Sequence, residues 1–171
     1  PRGRGPGAKG IRVLDRHNDS PFLRPEVIDV PYEDAPLGRV GALVEIAGRD
    51  SVGAAVALAR GGFLHRILPT IAYTGTEFGD VQALFANVEW LRRQVEPQGV
   101  EVMEAVVLGS PRWWRATIGR VNSVLSRRYG PWHICVGCHM YLHAARLPLA
   151  WKSGTTSIVA GERLAHGGAV K

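Results

Sequence analysis

The chain has 171 residues, 46% of them hydrophobic and 21% charged, the balance of a globular domain long enough to bury roughly two-thirds of its unfolded surface. No apolar run reaches the ~18 residues of a membrane span and the first residues lack a signal-peptide apolar core, so no membrane partner and a cytoplasmic location are expected. The net charge of +6 has to be located along the chain before it is interpreted.

Arg2, Arg4, Lys9 and Arg12 stand among the first residues with no acid between them, so a basic tail explains much of that charge. Gly5, Gly7 and Gly10 match the dinucleotide fingerprint in letters, but no strand precedes them and no convincing helix follows. Prolines at 21, 25, 31 and 36 then interrupt both helix and strand ladders. Residues 1–38 therefore read as a basic, Pro-rich arm wrapped on a domain formed by residues 39–171.

From Gly41 to Arg60 an apolar β-type run (Ala42, Leu43, Val44, Ile46) breaks at Gly48 and continues, past Arg49, Asp50 and Ser51, into the Ala-rich segment Val52 to Arg60. This is a strand, a tight turn and a helix start, with Asp50 or Ser51 as the expected cap. The first N–H groups of a helix lack intrahelical partners and the dipole is positive there, so a phosphate can sit at such a turn. An ordinary capped helix in an α/β domain accounts for the spacing equally well.

Ile46-Ala47-Gly48-Arg49-Asp50-Ser51 also resembles, without a gap, the SGG-x-DS signature of the PP-loop ATP pyrophosphatases, the adenine nucleotide alpha hydrolase-like superfamily. Gly48, Asp50 and Ser51 match; Ile46 stands for the family serine and Ala47 for its first glycine. The resemblance implies an HUP-type, Rossmann-like sheet. It also implies ATP and Mg²⁺ at Ile46 to Ser51, and adenylation of a substrate with release of pyrophosphate, Asp50 and Ser51 serving catalysis. A nucleophile would then displace AMP, for thiolation or amidation of tRNA or a nucleobase precursor.

Gly61 and Gly62 stop the first helix. Pro69 makes the next ladder-paired strand start at Thr70 and run to Tyr73, followed by a loop from Thr74 to Asp80. Ligands of open parallel sheets gather beyond the carboxyl ends of strands, and the resemblance makes Tyr73, Thr74, Gly75 and Glu77 candidate nucleotide contacts. A helix opens at Gly79 or Asp80 with Val81, Leu84, Phe85, Val88, Leu91 and Val95 on one side. Pro97 and Gly99 end it, and Val100 to Leu108 reads as a third strand. The order β-α-β-α-β predicts a parallel sheet with helices on both faces.

From Pro111 to Arg128 the chain carries Arg112, Arg115, Arg120, Arg127 and Arg128, no acid, and the pair Trp113-Trp114, while Ile118, Val121, Val124 and Leu125 give it a helical apolar side. Such a segment suits a phosphate-bearing substrate or an RNA backbone, with Arg112, Trp113, Trp114, Arg115 and Arg120 as candidate contacts. Tryptophans packed on the core and arginines on a solvated face are the plain alternative.

The two cysteines, Cys135 and Cys138, form a C-x-x-C followed by His139 and His143. Two thiolates and two imidazoles complete a zinc site, and fit an iron–sulfur cluster, which wants four thiolates, less well. The same pair can cycle between dithiol and disulfide, or carry sulfur as catalytic residues. Met140 to Leu149 suggest a following helix with His139 and His143 one turn apart. A fourth strand, Thr155 to Val159, runs into Gly161, Glu162 and Arg163, which the resemblance brings near the nucleotide. No closing element follows before Lys171, so the last strand and helix are expected to be cut away or absent. The rival readings are a nucleotide-binding module without catalysis, an RNA-binding protein and a thiol–disulfide protein; a homodimer is compatible with each.

Overall fold

The structure, a computed structural model, describes residues 39–75, 82–109, 111–130 and 134–161, without the side chains of Ile134 and Cys135. The N-terminal arm, Glu77, the start of the second helix, His133, Glu162, Arg163 and the residues after them lie outside the described residues.

Strand β1 (Ala42–Glu45) leads into helix α1 (Arg49–Arg60), and β2 (Arg66–Ala72) precedes α2 (Gln82–Val95). Two short strands follow, β3 (Glu101–Val102) and β4 (Val106–Leu108). After them come α3 (Pro111–Trp114), a wide π-type turn (Arg115–Gly119), α4 (Arg120–Tyr129), α5 (Ile134–Ala144), α6 (Leu147–Ser153) and β5 (Ile158–Val159). Every strand pairing is parallel, in the order β3–β2–β1–β5, with β4 also beside β2. The molecule is thus an α/β fold with a parallel sheet flanked by helices, compatible with a Rossmann-like arrangement.

Alternation along the strands divides two cores. Ala42, Val44, Ile46, Ile67 and Ile71 face α1 (Val52, Ala55, Val56, Ala59) and α2 (Leu84, Phe85, Val88, Leu91, Val95). Leu43, Leu68 and Leu108 face Ala145, Leu149 and Ala150 at the end of α5 and in α6. The helices therefore cover both faces, as the β-α-β order requires.

Four expectations change. Pro69 lies inside β2, paired with Val44 of β1, so the strand starts at Arg66 and not at Thr70. The odd-numbered residues of β2 turn their backbone groups toward the third strand: Met103 N donates to Ile67 O (3.0 Å) and Tyr73 N to Leu108 O (2.7 Å). The missing N–H of Pro69 falls between these bonds, opposite residues 103–105, where the ladder is interrupted. That is why the expected strand Val100 to Leu108 is split into β3 and β4, and why a proline is tolerated in a central strand.

Helix α1 starts at Arg49 with Gly48 as its N-cap, so Asp50 and Ser51 lie in its first turn. Ser51 fixes the turn from within: its Oγ accepts from Ala47 N (3.2 Å) and Gly48 N (3.3 Å) and donates to Gly48 O (3.1 Å). Helix α5 begins at Ile134, before the cysteines, and the expected run to Leu149 is broken at Ala145-Arg146, with α6 restarting around Pro148. None of the residues from Pro111 to Tyr129 is fully buried, but Trp113 packs, half-buried, against the core around Leu108 and Leu149, as the plain alternative expects for a tryptophan.

Candidate functional site at the carboxyl ends of the strands

Parallel strands aim their carboxyl ends at one edge of the sheet, and three sequence-derived candidates meet at that edge. The turn Ala47 to Ser51 leaves β1 there, Tyr73 to Gly75 leave β2, and Gly161 follows β5, which pairs with β1. Gly161 lies so close to the start of α1 that a Cβ at this position would stand 2.5 Å from Ser51 N and 2.9 Å from Ser51 Cα. Only a glycine fits that approach. Asp50 and Arg49 are exposed beside it, and Ser51 is buried.

Next to the turn lies a cavity of about 160 Å³ lined by Ile46, Ala47, Ala72, Thr74, Leu84, Cys138, Leu142 and Arg146. Its floor comes from the ends of β1 and β2, and one wall is a stripe of α5 at four-residue spacing that Arg146 completes. The volume suits a single ring-sized group rather than a drug-sized ligand. Gly75 has a positive φ of 76°, and a Cβ on it would stand 2.7 Å from Pro111 Cβ, so the start of α3 packs against the end of β2.

Arg146 is fully buried. Its Nε donates to Thr70 Oγ1 (2.8 Å), Nη2 to Thr70 O (3.2 Å) and Nη1 to Leu142 O. Thr70 Oγ1 in turn donates to Val44 O (3.0 Å). Burial pushes the guanidinium below its ordinary range, and the buried Glu45 carboxylate opposes that shift. The network ties α5 to the ends of β1 and β2 and keeps a cation at the cavity wall.

Of the metal candidates, Cys138 lines the cavity while His139 and His143 are half-buried on the adjoining stripe of α5. Among the described residues no three His, Cys, Asp or Glu side chains form a group able to hold a metal ion, and the Cys135 side chain lies outside that description. Trp113 is half-buried against Tyr141, ring centroids 4.6 Å apart, whereas Arg112, Arg115 and Arg120 are exposed. They stand on the segment anchored beside the cavity, not within it.

Sequence reasoning missed Ala72, Leu84, Leu142 and Arg146 as cavity residues. The first three carry no chemical signal. Arg146 carried one: it is a lone charge in the apolar stretch Ala144 to Ala150, two helical turns after Cys138.

No family model matches the chain, and no solved structure matches it. An uncharacterized protein of Methanocaldococcus jannaschii is 34% identical over 151 residues, covering 87% of this chain and 54% of that relative. The chain thus spans about half the length of the relative it matches. Among the described residues no helix is long and apolar enough to cross a membrane.

Proposed function

We propose that the chain binds ATP with Mg²⁺ at the carboxyl ends of β1 and β2 and adenylates a substrate in the cytoplasm, releasing pyrophosphate. The observation that carries this reading is the contact between Gly161 and the Ser51 amide, 2.5 Å from an added Cβ, beside a ring-sized cavity. A glycine there lets the end of β5 approach the start of α1, whose positive dipole end suits a phosphate. The cavity then takes the base.

A substrate oxygen attacks the α-phosphorus, the bond to the bridging oxygen breaks, and pyrophosphate leaves toward the positive end of α1. Ser51, hydrogen-bonded to the amides of Ala47 and Gly48, holds the turn in shape. Mg²⁺ would be held mainly by the phosphates and would offset the charge developing on pyrophosphate. Cys138 stands on the cavity wall, where its thiolate can attack the adenylated carbon, a C–S bond forming as the bond to the AMP oxygen breaks and AMP leaves.

A second reading has a specific observation behind it. Ile46 replaces the family serine and is buried at 1% exposure, so it supplies no hydroxyl to a phosphate, and the site would then bind ATP without cleaving it. Incubation with ATP and Mg²⁺, with and without bulk tRNA as acceptor, separates the two by product: AMP and pyrophosphate for adenylation, none for binding alone. Asp50→Ala is expected to abolish pyrophosphate release while the fold persists, because a residue in an exposed first turn contributes at most about 1 kcal/mol. Turnover at the parental rate in this variant would sink the assignment.

A further inference from the structure

Helix α4 lies on the surface of the described structure. Its ten residues, Arg120–Tyr129, are none of them buried, and Val124 is 52% and Tyr129 62% exposed. Arg112, Arg115, Arg120, Arg127 and Arg128 are all exposed, with neither an acid nor a lysine from Pro111 to Gly130. The two buried side-chain atoms that lack a hydrogen-bond partner among the described residues, Trp114 Nε1 and Asn122 Oδ1, also belong to this segment. A segment with so little core of its own does not offset such atoms by packing.

Charge and side-chain shape together select what covers it. Arginine, unlike lysine, offers a planar fork that grips phosphate oxygens in pairs and stacks on flat rings. The Arg128 guanidinium already lies over the Tyr129 ring, 5.5 Å from its centroid, which makes an open platform for an unpaired base. A membrane-surface helix needs a broad apolar face with large side chains turned outward. Here Trp113 is turned inward onto Tyr141, and the exposed large apolar side chains of α4 are two valines and Tyr129, interleaved with arginines. Unpaired bases free to stack are the hallmark of RNA loops.

We propose that the segment from Pro111 to Tyr129 docks single-stranded RNA. Pro111 packs on Gly75 at the end of β2, and the π-type turn packs on α5, whose Cys138 and Arg146 line the cavity. RNA held on α4 is therefore anchored at the same edge of the sheet as the candidate site. The proposal rests on the exposed surface and goes beyond the adenylation reading, naming the partner that would present the substrate.

The test is a titration of the whole chain with a fluorescent single-stranded oligoribonucleotide across a salt series. Each phosphate contact adds about 0.7 to the log–log salt slope on single strands, so Arg115→Gln, Arg120→Gln and Arg127→Gln together are expected to flatten it by about 2 units. Tyr129→Ala is expected to weaken binding about 5- to 100-fold with the slope kept, since it removes stacking and no charge. Arg60→Gln with Arg93→Gln, exposed on α1 and α2, lowers the net charge and should leave the slope unchanged. An unchanged slope in the triple variant overturns the proposal, as does equal affinity for the matching oligodeoxynucleotide, for polyglutamate or for anionic lipid vesicles. ATP turnover in the same variants keeps the two readings apart: loss of RNA binding with pyrophosphate release intact leaves adenylation standing, and the reverse leaves the RNA surface standing.

Discussion

Helices α2 and α4 carry the same kind of sequence, apolar residues at spacings of three and four with arginines near the C-terminal end, and they end in opposite environments. Leu84, Phe85, Val88, Leu91 and Val95 of α2 are all buried on the sheet, whereas no residue of α4 is fully buried. Arginine divides the same way: Arg146 is fully buried with its donors on Thr70 and Leu142, while Arg112 to Arg128 stand in solvent. Amphipathic periodicity declares that a helix has a face. It does not say what covers that face, because the cover is supplied by elements distant in the chain or by another molecule.

Four substitutions probe this contrast, and the largest effect is expected at Arg146. Arg146→Ala removes a buried cation, leaves the Glu45 carboxylate buried at 4% exposure without it, and takes the guanidinium donors from Thr70 Oγ1 and Leu142 O. Removing one member of buried opposite charges costs about 3–5 kcal/mol, so the urea midpoint should fall steeply. An unchanged midpoint would mean that α5 is not held to the strand ends through this residue.

A smaller effect is expected at Gly161. The added methyl of Gly161→Ala would stand 2.5 Å from Ser51 N and 3.0 Å from Asp50 C, so either the end of β5 or the start of α1 has to shift. Overpacking of this kind costs about 1–3 kcal/mol, and under the proposed function ATP binding should be lost with it. Retention of affinity for a fluorescent ATP analogue would detach the β5 end from the site.

How far these positions were legible in the sequence follows from the range of the forces involved. The turn at Gly48 and the stripe of α2 are set by neighbours within one or two helical turns, and both can be read directly. The split of the third strand depends on a proline in another strand, whose missing N–H matters only once Met103 and Leu108 are paired around it. Read alone, Pro69 looks like a strand breaker. Arg146 was visible as a lone charge but not as a cavity residue, since that requires knowing that α5 crosses the ends of β1 and β2. The sequence of the segment from Pro111 to Tyr129 showed its charge and periodicity correctly and left its exposure open.

The smallest expected effect is also the most direct test of the contrast, because one substitution is made on both helices. Val88 in α2 is 3% exposed and Val124 in α4 is 52% exposed. Val→Ala removes the same atoms from each and raises helix propensity in each by the same few tenths of a kcal/mol. What differs is the apolar area returned to water. Val88→Ala is expected to cost about 1.5 kcal/mol, from about 0.8 for each of the two buried carbons that alanine lacks, and Val124→Ala to fall within about ±0.5 kcal/mol. Urea unfolding at two protein concentrations measures both. If Val124→Ala costs as much as Val88→Ala, and does so more at the higher concentration, the open stripe of α4 is covered by a second copy of the chain in solution. The arginines would then face each other across that interface, and salt would strengthen the association, the opposite of its effect on RNA binding.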